Sequence, residues 1–156
     1  MSDSEVTVRR AEPSDAGEVA RLLHDFNTEF DEFTPGVEVL TVNARRMLAE
    51  GEMIVLLAGE GPDGLAELRL RRSVSTGKPD AYLEELYVVG DLRGRGIGRA
   101  LLEAAMDASR SEGATHVELT TSEADTAAIG LYESSGFTNR EGSPEGPLMI
   151  YYEREL

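Results

Sequence analysis

A run of alternating arginines and glycines is the part of this sequence best suited to chemistry. It reads Arg93-Gly94-Arg95-Gly96-Ile97-Gly98-Arg99, and it lies between a strand-like segment and a segment with the apolar spacing of a helix. Glycines at this density are unfavourable at a helix start unless the backbone must approach something closely. A helix N-terminus offers unpaired N–H groups and a partial positive charge. With arginines beside it, this junction is predicted to bind a phosphate group.

The glycine spacing excludes two common phosphate-binding motifs. A dinucleotide fingerprint that begins at Gly94 would need a third glycine where Arg99 stands. A P-loop would need Lys followed by Ser or Thr after its last glycine, whereas Gly98 is followed by Arg99 and Ala100. The remaining pattern is Arg-x-x-Gly-x-Gly at a strand-to-helix junction. A glycine-rich connector with solvated arginines is the alternative interpretation.

Patterning along the chain predicts a mixed α/β arrangement around one sheet. The turn cluster at 59–64 predicts a hairpin between its flanking strands, and Thr41 is predicted to cap the second helix. Gly113 and Gly136 stand where glycine commonly ends a helix. The predicted strands are 6–10, 53–58, 65–73, 81–89, 117–121, one starting at Phe137, and 148–153. The predicted helices are 13–29, 41–50, one from the glycine loop to 112, and one near 125–135.

Composition is typical of a single globular domain. The 156 residues are 40% hydrophobic and 29% charged, which allows one substantial core. The absence of cysteine excludes a disulfide scaffold, a cysteine-rich zinc site and a thiol nucleophile. His24 and His116 have no ligand-like spacing, so no metal site is expected. We expect one domain over residues 1–156.

A formal net charge of −15 limits the classes of partner. It disfavours nucleic acids, whose binding depends on cations placed against phosphates. It favours cationic ligands, although a surface adapted for solubility explains it equally well. Met1 to Glu5 are acidic without an apolar segment, and no apolar run approaches ~20 residues. We therefore expect no membrane contact and a cytoplasmic location.

Three segments in this order resemble the GNAT N-acetyltransferase superfamily. Tyr82-Leu83-Glu84-Glu85-Leu86-Tyr87-Val88 is similar to the central strand of the family, and 93–98 resembles its pyrophosphate loop. The segment 128–137 matches Ala-x-x-Leu-Tyr-x-x-x-Gly-Phe, and the opening at 8–15 also looks like the start of such a domain. The resemblance implies a mixed, mostly antiparallel sheet of six or seven strands. It further implies about four flanking helices and a splay after the fourth strand.

The resemblance implies an enzyme that uses acetyl-CoA as the acetyl donor. Its Leu-Glu-Glu-Leu-Tyr-Val version looks most like the branch that acetylates small amines, including diamines, polyamines and aminoglycosides. Because no cysteine and no suitable Ser/His pair is present, direct attack by the amine is favoured over a covalent acetyl-enzyme. Two alternatives stay open. One is a non-catalytic acetyl-CoA-binding sensor or interaction module, and the other is a protein or peptide N-acetyltransferase.

The resemblance also implies catalytic and substrate roles. An alkylammonium with a pKa of ~10.4 must lose a proton before it attacks the thioester. Glu84 is predicted to be the base because it shares strand alternation with Leu86 and Val88, and Glu85 is predicted to hold a second ammonium. Apart from the resemblance, the segment Phe30–Leu40 is most simply a solvated connector, and the functional alternative places Phe30 and Glu32 in an acidic, aromatic rim over the amine. Tyr132 is expected to protonate the leaving thiolate, with a half-buried core aromatic as the alternative.

Cofactor contacts follow from the same resemblance. The Leu86 N–H is expected to point at the acetyl carbonyl, with the backbone of Tyr87 and Val88 along the pantetheine arm. Asp125 replaces an asparagine of many relatives and loses the amide donor, which puts its cofactor contact in question. Relatives often pair through C-terminal strands, so a homodimer through 148–152 is conceivable. The residues expected at the pyrophosphate are Arg93, Gly94, Arg95, Gly96, Ile97, Gly98 and Arg99.

Overall fold

The computed structural model describes residues 5–156, which form two compact units. The first unit ends at Leu119 and the second runs from Thr120 to Leu156. Within the described range, no helix is long and apolar enough to cross a bilayer. Residues 1–4, which make up most of the acidic segment Met1 to Glu5, lie outside this range. The assignment of one domain to residues 1–156 stays a prediction.

A five-stranded sheet in the order β1-β2-β3-β4-β5 forms the centre of the first unit. The strands are β1 Val8–Arg10, β2 Ile54–Ala58, β3 Gly64–Arg72, β4 Pro79–Val88 and β5 Val117–Leu119. The first four are antiparallel neighbours, and β5 pairs with β4 in parallel. Every residue of β2 is buried, as expected for an unbroken apolar run covered on both faces. The predicted hairpin and the mostly antiparallel sheet are confirmed.

Three helices cover the sheet. They are α1 Ala16–Glu29, which follows a 3₁₀ turn at Pro13–Asp15, α2 Val37–Glu50 and α3 Ile97–Ser111. α1 and α2 bury Val19, Leu22 and Ala44 against the face that carries Leu57 and Leu65. α3 buries an apolar stripe that contacts β2, β3 and β4 and covers the other face. The glycine loop therefore lies between the end of β4 and a helix anchored in the core.

The predicted start of α2 is wrong. The helix begins at Val37, and Thr41 lies inside it, where its hydroxyl donates to the Val37 carbonyl at 2.7 Å. Gly36 precedes the helix with a φ of +98°, a backbone conformation that residues with a Cβ rarely adopt. This glycine lets the chain turn directly into a helix, so the connecting loop is shorter than the predicted Phe30–Leu40.

The second unit contains α4 Thr126–Ser134. Gly136 has a φ of +91°, and the N–H of Phe137 donates to the Tyr132 carbonyl at 3.0 Å, which completes the predicted glycine-terminated helix end. The strands predicted from Phe137 and over 148–153 are wrong, because among the described residues this segment contains only an isolated antiparallel bridge between Arg140 and Leu148. The pattern there is apolar, but a strand requires a continuous hydrogen-bonded partner. Residues 5–156 therefore contain five strands, where six or seven were predicted.

Candidate functional site

A β-bulge lies at the two adjacent glutamates of β4. Glu67 of β3 is opposite Glu85, whereas the next residue, Leu68, is opposite Leu83, so Glu84 is an extra residue in the strand. A bulge interrupts the alternation of side chains and re-aims them, and bulges are common beside active sites. Glu84 therefore does not share the alternation of Leu86 and Val88, which corrects the argument that predicted it as the base. The bulge turns both glutamates toward the face that carries Glu67.

Glu85 has a carboxyl group that titrates close to neutral pH. Burial raises its pKa from 4.5 to about 7, and the negative charges of Glu67, Glu84 and Glu32 add to this effect. Glu67 is only 6% exposed, and burial raises its pKa as well, which the Arg69 guanidinium partly opposes. The Arg69 Nε lies 3.3 Å from the Glu67 Oε1. Glu85 can thus hold or release a proton near pH 7, opposite a second buried carboxyl group on the adjacent strand.

Glu84 has a different environment from Glu85. It is exposed, and it lines an open depression of about 400 Å³ together with Arg69, Arg71 and Tyr82. The Arg71 guanidinium lies 5.4 Å from the centre of the Tyr82 ring and pairs with Glu118. The Glu84 side chain therefore faces arginine side chains and water.

The glycine loop has the backbone geometry that its sequence predicts. Gly94 and Gly96 have φ values of +78° and +84°, which require glycine. Gly96 is the N-cap of α3 and contributes no side-chain cap. Because the first N–H groups of a helix have no acceptor within it, those of Ile97 and Gly98 can receive an anion. The conformation and the helix start fit a pyrophosphate group.

The arginines of the loop are not equivalent. Arg93 Nη2 lies 2.6 Å from the Glu29 Oε2, and Arg93 Nε donates to the Val88 carbonyl at 3.0 Å. Arg95 is exposed, and we find no hydrogen bond or ion pair for it within residues 5–156. Arg99 is exposed in the first turn of α3. Sequence analysis predicted one shared role for these residues, and it missed Glu29 as the partner of Arg93.

One edge of β4 is paired with β5 for only part of its length. The parallel pairing runs from Ala81 to Leu83, and beyond it Leu86 and Val88 pair with β3 alone. This is the predicted splay after the fourth strand. Tyr87 is buried in the core at 6% exposure, so only its backbone could contact a cofactor along this edge. The edge leads directly to the glycine loop.

The predicted rim residues lie at the end of α1. Phe30 follows the last residue of α1 and packs its ring 5.1 Å from that of Phe26, while 49% of Phe30 stays exposed. Glu32 lies close enough to Glu85 for its charge to raise the pKa of that group. The structure therefore brings Glu32, Glu84 and Glu85 together. Glu67 was missed, although an acidic residue within the apolar start of β3 was a signal for it.

The predicted site residues of the second unit both belong to α4. The Asp125 carboxylate caps this helix, because its Oδ1 accepts from the Ala128 N–H at 3.0 Å. Capping accounts for an acidic residue here without any cofactor contact. Tyr132 is half-buried, and its ring lies 5.9 Å from that of Phe137 at an angle of 62°. Within residues 5–156, no group of three His, Cys, Asp or Glu side chains could hold a metal ion.

Comparison with known proteins identifies relatives of the whole domain. A sequence profile described as "Acetyltransferase (GNAT) family" matches residues 19–137. The aminoglycoside N(6')-acetyltransferase type 1 of Stenotrophomonas maltophilia is 32% identical over 145 residues, which cover 90% of this chain and 92% of that protein. A crystal structure of a candidate acetyltransferase from Arthrobacter sp. FB24 is 46% identical, with a TM-score of 0.89, over 98% of this chain and 97% of that one.

A further relative matches over a shorter segment. The mycothiol acetyltransferase of Beutenbergia cavernae is 46% identical over 63 residues, which are 38% of this chain. The match spans only 21% of the length of that protein. It therefore supports the family and carries no information on the rest of that enzyme.

Proposed function

The chain belongs to the acetyltransferase (GNAT) family, and we propose that it transfers the acetyl group of acetyl-CoA to a primary amine of a small molecule. Membership and the named relatives make it an acetyl-CoA-dependent N-acetyltransferase. One observation carries the finer proposal. A carboxyl group whose pKa is about 7 lies on the same strand that runs into a glycine loop and a helix N-terminus.

Acetyl-CoA supplies an acetyl group activated as a thioester. In the proposed site, the pyrophosphate lies at the N-terminus of α3, where Gly96, Ile97 and Gly98 present backbone N–H groups. Arg95 adds a positive charge beside them. The backbone of Leu86 and Val88 orients the acetyl group and the pantetheine arm along the edge of β4 that β5 leaves unpaired.

The β4 bulge supplies the base in this proposal. A substrate ammonium must transfer a proton to a carboxylate before its nitrogen forms the amide bond. Glu85 is favoured, because a base with a pKa near the working pH combines a populated carboxylate with sufficient proton affinity. Glu84 is the competing candidate, and its exposed carboxylate is suited to attract the cationic substrate. Tyr132 is proposed to protonate the sulfur as the C–S bond breaks.

The acidic surroundings of Glu85 support a small cationic substrate. Glu32 and Glu67 place further carboxyl groups near it, and Phe30 offers an exposed ring at the end of α1. An amine with a second cationic centre would gain attraction from this cluster. The relative from S. maltophilia is named for the N(6') amine of aminoglycosides, which agrees with a substrate of this class.

Release of CoA thiol tests the proposal directly. The purified protein is incubated with acetyl-CoA and, separately, an aminoglycoside, a linear diamine, a monoamine and a peptide with a free N-terminus. We expect turnover with the aminoglycoside or the diamine, and weaker turnover with the monoamine. Turnover with the peptide alone would overturn the small-molecule assignment.

The same assay tests the proposed acid. Tyr132→Phe should lower kcat by about 10-fold and leave the Kd of CoA unchanged, since it removes only a proton donor. Tyr152→Phe is the matched control, because this tyrosine is 85% exposed. Unchanged turnover in Tyr132→Phe would remove Tyr132 from the mechanism.

A further inference from the structure

The first arginine of the glycine loop is fixed by the end of α1. We name this arrangement the Glu29–Arg93 clamp, and it comprises Glu29, Phe30, Tyr87, Val88 and Arg93. The Glu29 carboxylate receives Arg93 Nη2 at 2.6 Å on one oxygen and the Tyr87 hydroxyl at 3.3 Å on the other. Arg93 Nε donates to the Val88 carbonyl at 3.0 Å. Both sides of the ion pair are therefore tied to the last residues of β4.

Aromatic rings hold the same guanidinium in place. The Arg93 Cζ lies 5.6 Å from the centre of the Tyr87 ring and 6.0 Å from that of Phe30. Tyr87 belongs to the hydrophobic core and packs its ring 5.3 Å from Phe26. An isolated ion pair at this exposure would contribute little. The clamp instead connects the loop to the core through several contacts at once.

We propose that Glu29 and Arg93 are positioning residues for the acetyl donor, and that Arg95 supplies the loop cation that contacts its phosphates. This inference rests on the proposed function, because it takes the glycine loop as the pyrophosphate site. Any movement of the Arg93 guanidinium toward a phosphate at the loop would break its hydrogen bonds to Glu29 and to the Val88 carbonyl. An unpaired carboxylate would then lie next to an anionic ligand. Arg95 has no such contacts to give up.

The two roles of Arg93 predict opposite effects for one substitution. Glu29→Gln removes a negative charge near the loop, so charge alone would strengthen the binding of an anionic cofactor. If Arg93 were a phosphate ligand, the loss of its competing carboxylate would strengthen binding further. If Arg93 is a clamp residue, Glu29→Gln frees the loop and weakens binding, because the loop must then be ordered by the ligand.

Calorimetric titration with CoA measures whether Glu29→Gln raises or lowers the Kd. We expect Glu29→Gln to raise the Kd by about 3- to 10-fold. Asp25→Asn is the matched control, since it makes the same charge change on α1, where Asp25 pairs with Arg21 and not with the loop. Tyr87→Phe keeps the charges and removes the hydroxyl that Glu29 accepts from, so it should weaken binding less but in the same direction. Tighter or unchanged binding in Glu29→Gln overturns the clamp.

Salt dependence separates the two arginines. Arg95→Gln should reduce the slope of log Kd against log salt concentration, because it removes a charge that meets the phosphates. Combining Arg93→Gln with Glu29→Gln should weaken binding little beyond either change alone, because both break the same clamp. Additive losses, or a salt slope that depends on Arg93 and not on Arg95, would contradict the assignment.

Amide hydrogen exchange without ligand tests the clamp independently of the cofactor. Residues 93–98 should exchange faster in Glu29→Gln than in the wild type or in Asp25→Asn. Equal exchange rates would overturn the inference. If the wild type binds no CoA, the proposed function fails, while the exchange rates still decide whether Glu29 holds the loop.

Discussion

Charged side chains are arranged in opposite ways at the β4 bulge and at the glycine loop that follows β4. At the bulge, Glu85 is half-buried, lies opposite the buried Glu67 of β3 and is near the exposed Glu32, so groups of like charge are brought together. At the glycine loop, Arg93 meets Glu29 at 2.6 Å, so opposite charges are paired beside the core. Strand β4 contains the bulge and leads into the loop.

The difference supports the proposal of proton transfer at the bulge and of a purely positioning role for the ion pair at the loop. Burial of like charges opposes folding and is retained where a shifted pKa has a use, as at many catalytic groups. At the loop, a paired cation and anion with a carbonyl and two rings around them hold the backbone in place. We therefore propose proton transfer at the bulge and cofactor positioning at the loop.

The largest expected effect concerns activity at the bulge. Glu85→Gln should lower kcat/KM by ~100-fold because it removes the proposed base, whereas Glu84→Gln should cause a much smaller loss. In the wild type, kcat/KM should fall as the pH drops below about 7, where Glu85 takes up a proton. Steady-state kinetics over pH 5–9 measure both. A greater loss in Glu84→Gln would support the assignment of the base that strand alternation predicted.

The next effect concerns the free energy of unfolding, which should rise after a substitution at the bulge and fall after one at the loop. The folded-state pKa of Glu85 is raised from 4.5 to about 7, so its contribution to stability is fully present below pH 4.5 and is lost as the pH rises through about 7. Glu85→Gln should thus increase the free energy of unfolding by ~2 kcal/mol at pH 8 and leave it unchanged at pH 4. Glu29→Gln should instead decrease it at pH 8. Urea unfolding at both pH values distinguishes these outcomes. If both substitutions changed the free energy of unfolding in the same direction at pH 8, the contrast between the bulge and the loop would be contradicted.

The smallest effect concerns an ion pair far from the site. Arg9 donates to both oxygens of Asp15 at 2.8 and 2.9 Å, and this lowers the pKa of Asp15 from 3.8 to about 2. Its stabilisation is present above pH 3.8 and is lost as the pH falls through about 2. Asp15→Asn should cost ~1 kcal/mol at pH 7 and flatten the acid limb of the stability curve. An unchanged acid limb would show that this pair does not stabilise the fold.

Most of the local architecture was predictable from the sequence. The hairpin between β2 and β3, the strand that leads into the glycine loop and the glycine-terminated end of α4 all depend on short segments whose patterns agree with their structure. Two predictions failed for different reasons. The start of α2 depended on the backbone of Gly36, and the strands predicted after α4 have no continuous hydrogen-bonded partner among the described residues.

The sequence by itself determined the glycine loop, because positive φ values at Gly94 and Gly96 are a local requirement that residue type expresses. It also determined that two glutamates stand together in the strand before the loop. Only the tertiary structure decided which of them is the more buried, since the bulge fixes a pairing between β3 and β4 that no local pattern encodes. Only the tertiary structure joined Arg93 to Glu29, which are 64 residues apart in the chain. Contacts at such separation depend on packing between elements, and one chain without its fold does not reveal them.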